Sequence, residues 1–279
     1  MSRVIRVAHS PDSDDAFMFY ALAENLLDTG DLNFLHELHD IESLNRRAMA
    51  AELEVTAVSI HAYAYLADRY ALLPHGASMG EGYGPRVVGR EPFTAAELAG
   101  RRVAVPGELT SAFLALKLFQ PRVLTEVVPF DRILEHVAAG RADAGVVIHE
   151  GQLTYAAAGL CLIADLGEWW AADTGGLPLP LGGNVIRRDL GDELMRRISR
   201  LLRQSVAYAL AHRTPALAHA RHYGRGIDDE QTDEFVGMYV NERTLDYGPD
   251  GRRAVQLFLD RGFEAGIIPR RVIVDFLDD

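Results

Sequence analysis

RVAHSPDSDDAF (residues 6–17) and RVAVPGELTSAF (residues 102–113) decide the reading of this chain. Both open on Arg-Val-Ala, run seven residues and close on Ala-Phe. A second echo follows each of them. SLNRRAMAAELEVTAVSIH (residues 43–61) and DRILEHVAAGRADAGVVIH (residues 131–149) share Ala-Ala, then six residues, then Val-x-Ile-His. Each copy reads as a strand, a loop and a helix start, followed by a helix and a strand. Aligned this way, Asp14 falls on Thr110, Asp15 on Ser111, Ser59 on Val147 and His61 on His149. Parallel α/β sheets bind ligands beyond the carboxyl ends of their strands. Two such lobes facing each other would line a cleft with the residues at matching strand ends. Asp14, Ser59, Thr110, Ser111 and His149 are therefore the first candidates for chemistry.

The bulk numbers suit this picture. A chain of 279 residues carries about two domains' worth of length. Hydrophobic residues make up 48% and charged residues 24%, a balance that supports a buried core without staples. The net charge of -12 disfavours nucleic acid or an anionic membrane as partner, because phosphate contacts need clustered Lys and Arg. It leaves room for a small anionic ligand at a helix N-terminus. Cys161 is the sole cysteine, so no disulfide forms within the chain, and its apolar setting reads as core. No secretory signal and no run of about eighteen apolar residues is visible, so a cytoplasmic location and no membrane contact are expected.

Along the chain, strands are expected at 4–8, 32–38, 55–59, 102–105, 125–128, 144–148 and 183–188. Helices are expected at 16–26, 43–51, 62–69, 112–119, 131–139, 192–211, 229–240 and 251–265. The glycine-rich GASMGEGYGPRVVG (residues 76–89) reads as a flexible connection. It neither follows a strand nor opens a helix, so it is no dinucleotide fingerprint. LPLPLGG (residues 177–183) reads as a second crossing, since two prolines and two glycines in seven residues break regular structure. The expected fold is α/β with two lobes, each a mostly parallel sheet flanked by helices. Lobe 1 is discontinuous (1–89 plus 182–279), lobe 2 is inserted (90–181), and the ligand cleft lies between them.

The helix opening at Thr110-Ser111-Ala112 offers free backbone N–H groups, two hydroxyls and a positive dipole end, a seat for a carboxylate or phosphate. The loop before it lacks the lysine of a Walker A motif. His149 follows a buried strand, where an imidazole can take a proton near neutral pH. No histidine stands four residues after it, so the zinc-protease pattern fails, and no metal site is expected. Asp12, Asp14 and Asp15 crowd one loop and read as a helix-start cluster, with Asp14 also available to accept a substrate hydroxyl. Trp169 and Trp170 read as packing between lobes.

With these residues placed, the chain resembles the 1,4-dihydroxy-6-naphthoate synthases of the futalosine route to menaquinone. The resemblance rests on HSPDSDDAFMFYALA (9–23), HDIESLNRRA (39–48), VSIHAYAYLADRYALL (58–73), GEGYGPRVV (80–88), VPGELTSAF (105–113) and FDRILEHVAAGRADAGVVIHEGQLTY (130–155). It continues through DLGEWW (165–170), LPLPLGGNVIRRDLG (177–191) and QSVAYALAH (204–212). It implies a periplasmic-binding-protein-like fold (type II) turned to catalysis. It also implies that a lyase cleaves cyclic dehypoxanthinyl futalosine to 1,4-dihydroxy-6-naphthoate without metal or nucleotide cofactor. By the same resemblance, His149 is the base, and Ala57, Val58, Ser59, Ser111 and Ala112 touch the ligand. A lysine in the family pattern is replaced here by Ala57, which leaves only backbone or small-side-chain contact there. Two rivals are chorismate dehydratase activity, whose family lacks the His-Glu pair, and a non-catalytic solute-binding protein, which calls for a secretion signal or lipid anchor.

Overall fold

Both copies of the repeat fold as strand, helix, strand, helix, strand, seen in a computed structural model that describes residues 2–224 and 227–278. The first copy is β1 (Arg3–His9), α1 (Ser13–Ala23), β2 (Leu32–Leu38), α2 (Ile41–Met49) and β3 (Val55–Ser59). Then come α3 (Ile60–Leu66), β4 (Tyr70–Leu72), β5 (Ser78–Gly80) and β6 (Arg86–Gly89). The second copy is β7 (Arg102–Val105), α4 (Ser111–Phe119), β8 (Leu124–Val127), α5 (Ile133–Ala138) and β9 (Ala144–Val147). It is followed by α6 (Gly151–Thr154), β10 (Cys161–Asp165), α7 (Leu166–Thr174) and β11 (Leu179–Arg187). The chain ends in α8 (Asp192–Ala211), α9 (Arg213–Ala220), α10 (Asp229–Tyr239), α11 (Glu242–Leu245) and α12 (Gly248–Glu264).

The two sheets repeat one plan. Strand order is β2-β1-β3-β11-β4 in the first, with β5 also on β11, and β10-β6-β9-β7-β8 in the second. The trios β2-β1-β3 and β8-β7-β9 are parallel, as the repeat requires. The remaining strands are antiparallel, so each sheet is mixed. In each lobe an antiparallel strand from the crossing region borders the third strand of the repeat: β11 beside β3, and β6 beside β9.

The crossings lie earlier than the glycine and proline signals suggest. Arg86–Gly89 pairs with β9 and β10, so it belongs to the second lobe and not to the end of the first. Leu179 and Pro180 pair with Gly80 and Met79, so the first lobe resumes before residue 182. The glycine-rich segment therefore contains two strands, and the proline-rich one opens a nine-residue strand. Pro180 is tolerated because it faces only the three-residue β5, and the register shifts between Pro180 and Gly182. The stretch 161–174, left without elements by local patterning, supplies β10 and α7.

Apolar periodicity explains the helices that were legible. Met195, Ile198, Leu201, Leu202, Val206 and Ala209 of α8 are buried at helical spacing. One apolar cluster runs from the first lobe into the second, joining Tyr63 and Ile60 to Leu114, Val146, Trp170 and Phe258. The indole N–H of Trp170 donates to the Pro178 carbonyl at 2.9 Å, and its ring meets Phe258 edge-on at 5.4 Å. Trp170 packs between the lobes as expected, while the ring of Trp169 meets Phe119 and Trp170 within the second lobe. An interface this apolar restrains lobe motion more than two crossings alone would.

At the first crossing, Gly84 lies against the Gly167 backbone, and a Cβ on Gly167 would overlap the Tyr83 carbonyl. Backbone cannot move aside as a side chain does. Gly167→Ala is expected to cost on the order of 2–3 kcal/mol. Thermal denaturation should show a Tm lower by several degrees.

Candidate active site

The carboxyl ends of β1 and β3 and the loops after β7 and β9 converge on one interlobe cavity. Ala57 and Ser59 at the end of β3 line it, together with Asp12, Asp14 and Asp15 at the start of α1. The second lobe contributes Thr110, Ser111 and Ala112 at the start of α4, and Ile148 and Gln152 after β9. Asn184 of β11 and Phe235 and Tyr239 of α10 complete the wall. The free space is about 120 Å³, below the roughly 300–1,000 Å³ usual for small-molecule sites. The lobes are thus closed on each other.

Hydrogen bonds across the cleft hold that closure. Ser111 Oγ accepts the His61 backbone N–H at 3.2 Å and donates to the Leu181 carbonyl at 2.5 Å. Glu42 Oε2 accepts the Leu109 N–H at 3.2 Å. Tyr239 donates from its hydroxyl to Gln152 Oε1 at 3.0 Å. Thr110 caps α4, its hydroxyl oxygen accepting the Phe113 N–H at 3.1 Å, as its position after the loop predicts.

The acidic loop is a helix start, with Asp12 as N-cap residue and Asp14 and Asp15 in the first turn. Asp15 Oδ2 accepts the Ser10 N–H at 2.7 Å, and Asp12 Oδ2 accepts the Ser10 hydroxyl at 2.8 Å. Asp14 keeps surface toward the cavity although protein surrounds it. Burial, and then the charges of Asp15 and Asp12, push its carboxyl well above the usual range, and burial raises Asp15 as well. Among the described residues, no three His, Cys, Asp or Glu side chains are grouped to hold a metal ion.

Two of the expected site residues stand apart. Val58 is fully buried in the apolar cluster, as alternation along β3 demands when Ala57 and Ser59 face the cavity. His149 is not among the lining residues, although Ile148 before it and Gln152 after it are. Its Nδ1 accepts the Gly151 N–H and its Nε2 donates to the Phe130 carbonyl, both at 2.9 Å. Its ring meets Phe130 edge-on at 5.3 Å.

Strand register explains the offset. Val7 lies opposite Val55 in the first sheet, and Val103 lies opposite Ala144 in the second. Residue 59 thus corresponds to Ile148, one position from the alignment made through Val-x-Ile-His. A one-residue shift exchanges the two faces of a strand. Residues that patterning missed include Gln152, Asn184, Phe235 and Tyr239. The last two come from α10, far along the chain, and carry no local signal.

The fold and the cleft together define a two-lobed α/β protein of the periplasmic-binding-protein-like class. A sulfonate-binding protein from Xanthomonas axonopodis pv. citri shares it at a TM-score of 0.73 over 98% of this chain and 97% of its own, with 13% identity. The profile of the menaquinone-biosynthesis family matches residues 5–264, and the chain belongs to that family of enzymes. A 1,4-dihydroxy-6-naphtoate synthase of Thermus thermophilus is 44% identical over 251 residues, covering 90% of this chain and 91% of the relative. Its counterpart from Streptomyces coelicolor is 38% identical over 274 residues, covering 95% of each. A solved structure from Archaeoglobus fulgidus is 46% identical and superposes with a TM-score of 0.91, covering 95% of this chain and 98% of that one. No helix among the described residues is long and apolar enough to cross a membrane.

His61, stacked on Phe113 across the cleft, is held neutral, its pKa lowered by burial to about 4. A histidine depressed in the folded state gives stability that is complete above its unfolded pKa of about 6.5 and lost as pH falls toward 4. His61→Gln should therefore flatten the fall of the urea midpoint between about pH 6.5 and 4, by up to one proton's worth of slope.

Proposed function

We propose that this enzyme converts cyclic dehypoxanthinyl futalosine to 1,4-dihydroxy-6-naphthoate by carbon–carbon bond cleavage. The observation that carries the reading is a family match over nearly the whole chain, coupled to a closed interlobe cleft at the strand ends. Opening breaks the bonds through Ser111, Glu42 and Tyr239, the substrate enters, and closure excludes water. The start of α4 receives the aromatic carboxylate on its backbone N–H groups and hydroxyls. Asp14 accepts a substrate hydroxyl. Removing that hydroxyl proton leaves an alkoxide that collapses to a carbonyl as the adjacent carbon–carbon bond breaks, and its electron pair passes to the other fragment. Neither a metal nor a nucleotide is needed for this sequence of events.

His149 is the proton acceptor in this reading, its ring turning from the Phe130 carbonyl toward the substrate as the lobes close over it. Its hydrogen bonds to Phe130 and Gly151 favour a second reading, in which Asp14 is the base. Asp14 already lines the cavity, and burial makes its carboxylate more basic than usual. General-base catalysis is worth about 10²–10⁴-fold. Product formation from the cyclic substrate, followed by mass spectrometry, tests both. His149→Asn should lower kcat by about that factor with substrate affinity within a few fold. Near-normal turnover in His149→Asn with collapse in Asp14→Asn transfers the role to Asp14. No product from the unaltered protein rejects the proposed reaction.

A further inference from the structure

Asn45 stands in α2, one layer behind the cleft, and is wholly buried. Its Oδ1 accepts the backbone N–H of Ser59 at 2.9 Å, and its Nδ2 donates to Ser59 Oγ at 3.1 Å. The first bond fixes the orientation of the amide, because a peptide N–H can only donate. The atom facing Ser59 Oγ is therefore the amide nitrogen, and the hydroxyl oxygen is engaged from behind as an acceptor. The Ser59 proton must point elsewhere. It is not directed by helix capping: Ser59 is the N-cap residue of α3, yet its side chain makes no capping bond. The His61 N–H of that first turn is taken instead by Ser111 from the other lobe. Ser59 itself lines the cavity.

We propose that Asn45 is a positioning residue that makes Ser59 a hydrogen-bond donor toward the ligand, so that this wall of the cleft selects an oxygen acceptor, a carboxylate or an ionised hydroxyl. The inference rests on reading the cleft as the substrate site. It gives Asn45 a function separable from packing, since the amide sets the direction of a proton it does not carry. A carboxyl group of the same shape in its place behaves as a switch. Protonated, it still donates to Ser59 Oγ while accepting the backbone N–H. Ionised, it accepts from both, draws the Ser59 proton away from the cavity and leaves the ligand facing a lone pair.

The experiment compares KM for cyclic dehypoxanthinyl futalosine in the parent protein, Asn45→Asp, Ser59→Ala and the double variant, each from about pH 5 to 8. Ser59→Ala should raise KM about tenfold to a hundredfold, as for a lost hydrogen bond to a charged group. The ratio of KM in Asn45→Asp to that of the parent should stay near one at low pH and rise toward the Ser59→Ala level at high pH. In the Ser59→Ala background the same substitution should add no such rise. A rise of equal size in that background means direct repulsion of the ligand and overturns the proposal, as does a ratio that stays flat. An unchanged KM in Ser59→Ala instead sinks the reading of this wall as part of the substrate site. If thermal melts show that Asn45→Asp does not fold, Asn45→Ser, too short to reach Ser59 Oγ, replaces it. Its effect on KM must then vanish in the Ser59→Ala background.

Discussion

Strand register at the ends of β3 and β9 sets what these two strands present to the cleft. Pairing Val7 with Val55 sends Ala57 and Ser59 to the cavity and Val58 to the core. Pairing Val103 with Ala144 brings Ile148 to the equivalent place, and His149 is not among the lining residues. Side chains alternate along a strand, so Val58 cannot take the place of Ala57 or Ser59 in the cleft without slipping β3. Asn45 adds a further restriction by holding the main chain and hydroxyl of Ser59 at once. The position of the wall and the polarity of its hydroxyl are thus fixed by neighbouring interactions.

No lysine or arginine is among the cavity's described lining residues, and three aspartates are. An anionic ligand would therefore meet neutral groups: the N–H groups at the start of α4, Ser59, Asn184 and Gln152. Burial and the charges of neighbouring aspartates raise the carboxyls of Asp14 and Asp15 above the usual range.

Much of this was legible because the repeat carries its strand ends with it. β2, β3 and α8 fall at their expected bounds, and Thr110, Ser111, Ala112, Ser59 and Asp14 reach the cleft because each lies at or just beyond a repeat strand. What escaped depends on long-range pairing. Glycine and proline mark turns locally, but the pairing of β5 with β11 makes strand out of residues 78–80 and 179–182. Phe235 and Tyr239 arrive through the packing of α10 on α1, which no local pattern encodes. The displacement of His149 has a simpler origin. Matching letters aligned the third strands of the two copies, whereas hydrogen bonding aligns them one residue differently.

The β5–β11 pairing also bears on how such a molecule is assembled. Gly80 and Leu179 sit side by side in the ladder, so the inserted lobe leaves and rejoins its host at neighbouring points. The host sheet at that point has the layout of a β-hairpin whose turn has been replaced by an entire lobe. Excision of the insert would leave two strand ends that a tight turn of a few residues can join. The cleft is, in that sense, the space enclosed when a loop grew large enough to fold back over the sheet it came from.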